Sequence, residues 1–176
     1  MNPEEKSQAR KALVAKLLAC IDPATGETLP HSRGKLADLK MFFRASDTAR
    51  NRAIPAFARL SKPNDLISDV PAETVATLFS LHPHRAAEKT GDFGTTCRGI
   101  ADEFNEDAFD KHFERLLAAR TAADAAKVIL KIGPLARSKG IDINYFKLAE
   151  DLGYWSQPVR LRWARSYFKV TTPDAP

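Results

Sequence analysis

Residues 105–140 read NEDAFDKHFERLLAARTAADAAKVILKIGPLARSKG, and their spacing decides the fold class. Asn105 is a helix-capping residue type. Phe109, Phe113, Leu116 and Leu117 follow it at i, i+4, i+7 and i+8, which is one face of a helix over 106–119. Thr121 caps a second helix that carries Val128, Ile129, Ile132 and Leu135 and stops at Gly140. Inside it, Gly133-Pro134 predicts a kink or a split, because proline removes one backbone donor and its ring crowds the preceding turn. Nothing in the stretch alternates with period two.

The same periodicity extends outward. On the C-terminal side, Asp142 or Asn144 starts a helix with Tyr145, Phe146, Leu148 and Leu152, ended by Gly153. Ser156 and Pro158 open a last one with Trp163, Tyr167 and Phe168 on its apolar side. On the N-terminal side, Thr95 or Thr96 opens a short helix through Ile100, and 82–94, rich in Pro and Gly, is expected to be an exposed loop. Asp69 or Val70, before Pro71, starts a helix that packs Val75, Leu78 and Phe79 inward. In RNRAIPAFARL, residues 50–60, Pro55 suits a first helical turn, where its missing N–H costs nothing. Phe57 and Leu60 then face the core, with Arg50 and Arg52 on the approach and Arg59 one turn inside. Ser32 caps a helix with Leu36, Leu39, Phe42 and Phe43 on its core side, and the first helix spans 4–21. The expectation is an all-α bundle of about seven to nine helices over residues 1–176. It is divisible into packed sub-bundles 1–81 and 95–170, joined by the loop 82–94.

Composition bounds the function. The chain has 176 residues, 44% hydrophobic and 28% charged, an ordinary globular balance. Its formal net charge is +5 and its pI about 9.3, which favours a polyanionic partner. The charge is uneven: Arg33–Lys62 holds eight basic residues against Asp38 and Asp47, whereas Asp102–Asp110 holds five acids and no base. Two cysteines, Cys20 and Cys97, without C-x-x-C spacing, favour neither a disulfide framework nor a zinc module. No run reaches the roughly 18 apolar residues of a membrane span, and no signal-peptide core follows the charged N-terminus. The expected setting is the cytoplasm.

Motifs for chemistry are lacking. His82 and His84, with His31 and His112 elsewhere, do not have the ligand spacing of a structural metal site. There is no G-x-S-x-G, H-E-x-x-H or phosphate-cradling G-K-[ST], and TGDFG falls short of one. Cys97 reads as a buried filler beside Ile100. On one continuous helix Asp102, Glu106 and Asp110 would share a face at i, i+4 spacing, as carboxylates holding a divalent cation would. The run spans a helix start, however, where acids favour the positive end of the dipole. No enzyme activity, cofactor or metal is expected.

The basic residues are the stronger signal. One set is Arg44, Arg50, Arg52, Arg59 and Lys62; a second is Arg120, Lys127, Lys131, Arg137 and Lys139. A third, Arg160, Arg162, Arg165 and Lys169, is interleaved with apolar residues and is expected to snorkel or pair with the acidic run. Such sets suit contact with a phosphate backbone, without the side-chain patterns that read bases. A protein-interaction scaffold, with the arginines serving partner subunits, is the alternative.

AIPAFARL (53–60), FERLLAARTAAD (113–124) and GIDINYFKLAEDLGYW (140–155) followed by VRLRWARSYF (159–168), in that order, resemble the small subunit of type I-E CRISPR Cascade, the CasB family. The resemblance runs from Arg33 to Val170. It implies a non-enzymatic subunit that braces the crRNA–target DNA hybrid and the displaced strand through sequence-independent basic surfaces. Present in two copies, such a subunit touches the backbone and large subunits of an RNA-guided complex. The basic clustering together with the motif order makes Arg44, Arg50, Arg52, Arg59, Lys62, Arg120, Lys127, Lys131 and Arg137 the residues expected to contact nucleic acid.

Overall fold

The computed structural model describes residues 1–44, 46–62, 66–85 and 90–169. Among them are nine α-helices and no strand: α1 (Pro3–Leu18), α2 (Arg33–Leu39), α3 (Asp47–Ser61), α4 (Val70–Leu81), α5 (Phe93–Glu103), α6 (Glu106–Ala118), α7 (Ala122–Lys139), α8 (Tyr145–Gly153) and α9 (Gln157–Phe168). The all-α expectation holds.

Most helix starts follow local chemistry. Asn105, Thr121, Asn144 and Asp69 each accept a backbone N–H three residues on, and Gly140 ends α7 with φ +65°. At α1 the cap lies earlier than the pattern predicts. Asn2 and Glu5 form a reciprocal capping box, Glu5 N–H to Asn2 Oδ1 at 2.8 Å and Asn2 N–H to Glu5 Oε2 at 2.7 Å. The helix also stops at Leu18, because Ile21 leaves it to bridge Thr28.

Further expectations change. Pro55 does not open α3; it is the ninth residue of a helix that Ser46 caps through the Ala49 N–H at 3.2 Å. The carbonyl that proline leaves without a donor, Asn51, sits on the exposed face where water can reach it. Of the kink or split expected at Gly133-Pro134, the split does not occur, since α7 runs unbroken over 18 residues. Finally, the 82–94 segment is not exposed at its ends. His82 and Asp92 are buried, and α5 begins at Phe93 because Asp92 caps the Thr95 N–H.

Helix α4 forms the centre. Nine of its twelve residues are buried, and it packs on α1, α2, α7 and α8. A helix buried on nearly all sides must satisfy its hydroxyls internally, and Thr74, Thr77 and Ser80 donate to the carbonyls of Val70, Glu73 and Thr77 at 2.6–2.7 Å. Gly133 lies where α7 meets α4: a Cβ there would run into Leu78. One apolar cluster continues from Leu13 and Leu17 of α1 through Phe57, Phe79 and Ile129 to Trp163 and Tyr167 of α9.

The seam between α5 and α9 brings two backbones together. Gly94 faces the backbone of Trp163, and a Cβ would collide with that carbonyl. Trp163 itself is fully buried. Its indole donates to Asp151 Oδ2 at 2.6 Å, and its ring lies 5.4 Å from Phe93 and 5.1 Å from Trp155. Tyr167 stacks on Phe113 at 3.9 Å and donates to Asp110 at 2.5 Å. Burial, reinforced by the Asp110 carboxylate, pushes that hydroxyl well above the usual phenol range.

Candidate nucleic-acid interface

Helix α3 sorts its three arginines by angle. Arg52 and Arg59 are two turns apart and share one exposed stripe about 10 Å long, away from Ala53, Ala56, Phe57 and Leu60. Arg50 lies across the helix. It donates to Glu73 Oε1 of α4 at 2.8 Å, and its guanidinium sits 5.3 Å from the centre of the Phe42 ring. Arg50 therefore fastens α3 to α4, while Arg52 and Arg59 face water.

Arg52 has one anionic neighbour, Asp38 of α2, at 3.2 Å. Their side chains are 68% and 37% exposed, so the pair contributes at most about 1 kcal/mol and leaves the guanidinium accessible. Arg59, Arg44 and Lys62 have no side-chain partner among the described residues. Arg44 follows a short 3-10 turn, Lys40–Phe43, that packs on α3. The Lys62 carbonyl is held from behind, since Lys16 Nζ of α1 donates to it and, at 2.9 Å, to the Leu60 carbonyl. That lysine satisfies the open carbonyls at the end of α3, as a cation near a helix C-terminus should.

The second set divides in the same way. Lys127 and Lys131 are four apart on the solvent face of α7, and Lys127 meets only the exposed Asp124 at 3.3 Å. Arg120 precedes the Thr121 cap, and both it and Lys131 are exposed without a partner among the described residues. Arg137 instead donates to the Leu81 carbonyl at the end of α4, 3.0 Å away. Lys139 covers the Phe104 ring at 4.6 Å. Helix α7 packs on α4, α5 and α6 and α3 on α1 and α2, and each set has one arginine, Arg50 or Arg137, that reaches α4.

The α9 cations are mostly engaged within the fold. Arg162 pairs with Asp151, itself only 2% exposed, and lies 3.7 Å from Asp92. Arg160 donates to the Leu117 carbonyl at 3.1 Å. Lys169 alone meets the acidic run, at Asp102, 3.6 Å away. Among the described residues the arginines of α9 thus do not pair with the acidic run as expected; the carboxylates that Arg162 meets, Asp151 and Asp92, lie outside it.

The acidic run is not one helical face. Helix α5 ends at Glu103 and α6 starts after Asn105, which places Asp102 and Asp110 on different helices. Asp102 binds Arg98 at 2.5 Å, and this hydrogen bond holds its carboxyl below the usual range; Asp110 takes the Tyr167 hydroxyl. Among the described residues no three His, Cys, Asp or Glu side chains gather as metal ligands.

His82 and His84 stack at 4.0 Å. His82 Nε2 donates to the Ile141 carbonyl at 2.9 Å, and burial lowers its pKa from 6.5. His84 donates through Nδ1 to the His82 carbonyl and accepts the Ile143 N–H at Nε2. Both rings join the end of α4 to the turn before α8. Cys97 is fully buried, which pushes its thiol up and leaves it unreactive filler.

Two contributors escaped the sequence. Arg10, buried on α1, makes a two-pronged contact with Asp69 at 2.7 and 2.9 Å, holding the cap of α4. Phe43 is 46% exposed, although its spacing predicts a core position. In a 3-10 turn successive residues point 120° apart. Phe42 takes the inward direction, edge-on to Phe57 at 5.7 Å, and Phe43 is turned out.

Residues 35–168 match the family described as CRISPR-associated protein Cse2. The chain belongs to that family. It is the CasB family of type I-E that the motif order resembles. A solved structure titled "CRISPR RNA-guided surveillance complex" shares the fold, with a TM-score of 0.66 and 19% identity over 93% of each chain. No curated protein sequence matches the chain. The Cse2-family match spans α3, α7 and α9, the helices that carry most of the three basic sets. Among the described residues no helix is long and apolar enough to cross a membrane.

Proposed function

We propose that this Cse2-family chain is a non-catalytic subunit of an RNA-guided surveillance complex. In it, the chain braces the crRNA–target DNA hybrid and the displaced strand through exposed basic stripes. The observation that carries the reading is the stripe on α3: Arg59 has no anion beside it among the described residues, and Arg52 has only an exposed one. Arginine left in water beside further free cations meets a phosphate backbone without breaking a buried contact. Lys127, Lys131 and Arg120 form the second such surface, while Arg50 and Arg137 act by holding helices in place. Sequence reading then belongs to guide pairing, which asks only charge and shape of the protein. Two copies beside the backbone and large subunits, in the cytoplasm, complete the reading.

The test is a double charge reversal, Arg52→Glu with Arg59→Glu, in the assembled complex. Target-DNA affinity is expected to fall at least about tenfold. The log–log salt slope should flatten by about 0.9 for each duplex phosphate that is no longer neutralised, and by less for single strands. Unchanged affinity would refute the assignment. A scaffold role without nucleic-acid contact has one observation in its favour: Leu161 of α9 is exposed beside Leu117 and Ala164, a patch suited to protein. That role predicts no affinity of the isolated chain for nucleic acid at low salt.

A further inference from the structure

We infer that Phe43 is a base-stacking platform, so that the α2–α3 basic surface takes single-stranded nucleic acid in preference to duplex. This rests on the nucleic-acid reading above and narrows its ligand.

The exposed aromatic rings are not equivalent. Phe104 is covered by Lys139, and Phe168 packs edge-on against Phe113 and Tyr167. Phe146 lies on α8 and Tyr154 just after it, where Tyr154 borders a cleft lined also by Glu4 and Glu150. Phe43 has no ring or cation contact among the described residues and stands in the most basic part of the chain. The neighbouring phenylalanine already fills the inward position against Phe57, so packing does not call for a second ring there.

Charge surrounds this ring in a useful order. Residues three apart eclipse in a 3-10 turn, which puts Lys40 on the same edge as Phe43. Arg44 follows in extended backbone and is exposed, and the turn packs on α3, the helix that carries Arg52 and Arg59. An open π-face flanked by cations is what a sequence-tolerant single-strand site requires. The cations follow the phosphates and the ring accepts any unstacked base. A duplex keeps its bases stacked inside and cannot use the ring.

The experiment uses the isolated full-length chain, a dye-labelled mixed-sequence DNA strand, and the duplex made from that strand. Phe43→Ala is expected to weaken single-strand binding by about 5- to 150-fold. Duplex binding should stay within about twofold, and the salt slope should not change, since every cation that meets a phosphate is still in place. Phe43→Trp should keep or raise single-strand affinity, and 2-aminopurine in the strand should be quenched by the natural chain and not by Phe43→Ala. Thermal melting of both variants should match the parent, because the ring is outside the core. If the parent binds and Phe43→Ala weakens strand and duplex equally, or neither, the stacking role is wrong while the basic surface stands. If the parent binds neither at low salt, the nucleic-acid reading itself fails.

Discussion

Helices α9 and α3 both carry several arginines, and the fold uses them in opposite ways. On α9, Arg162 reaches a carboxylate that is almost wholly buried, and the next residue, Trp163, donates to the same group. On α3, Arg59 has no carboxylate beside it among the described residues, and Arg52 meets one that is itself exposed. What separates them is the far side of the contact. A buried acid demands its cation, since an uncompensated charge in the interior costs several kcal/mol, while an exposed acid demands little. Charge of one sign in a sequence therefore divides into structural and available portions only when the opposing helix is known.

The largest effect that could break this contrast is at Asp151. Asp151→Ala leaves the Trp163 indole and Arg162 without their acceptor, and is expected to destabilise the protein by about 3 kcal/mol, read by urea denaturation. A loss below about 1 kcal/mol would mean that α9 is held by apolar packing alone. Next comes Gly94→Ala, which forces a methyl group into the Trp163 backbone. It should cost about 1–3 kcal/mol and lower the midpoint of the same titration; wild-type stability would place the tight seam elsewhere. The smallest effect belongs to the other side of the comparison. Arg59→Ala should change stability by no more than about 0.5 kcal/mol, and a larger loss would move Arg59 into the structural class.

Local chemistry was legible where it is self-contained. Asn105, Thr121, Gly140 and Asn144 cap or stop helices through atoms a few residues away, so their types and spacing suffice. Pro55 misled because proline fits two helical settings, and the stronger start at Ser46-Asp47 lies ahead of the RNRAIPAFARL motif. Asp92 was hidden in a glycine-containing stretch that looks like loop, though its carboxylate caps α5. The helix count and the apolar faces followed from periodicity. The division of the basic residues did not, since Arg50 finds Glu73, Arg137 finds Leu81 and Arg162 finds Asp151 across helix contacts that spacing does not encode. Phe43 escaped for a smaller reason: a 3-10 turn replaces the last turn of the expected helix and swings that ring outward.

The Asp38–Arg52 pair gives the two stripe arginines different thermodynamic characters. Asp38 acts as a tethered counterion: a phosphate that reaches Arg52 displaces a carboxylate belonging to the protein, whereas one that reaches Arg59 displaces ions from solution. Either contact releases the cations condensed on the phosphate, so the two arginines contribute alike to the salt slope and differ in what the protein gives up. Arg52 then gives up a salt-screened ion pair worth at most about 1 kcal/mol before it can hold a phosphate, and Arg59 gives up none.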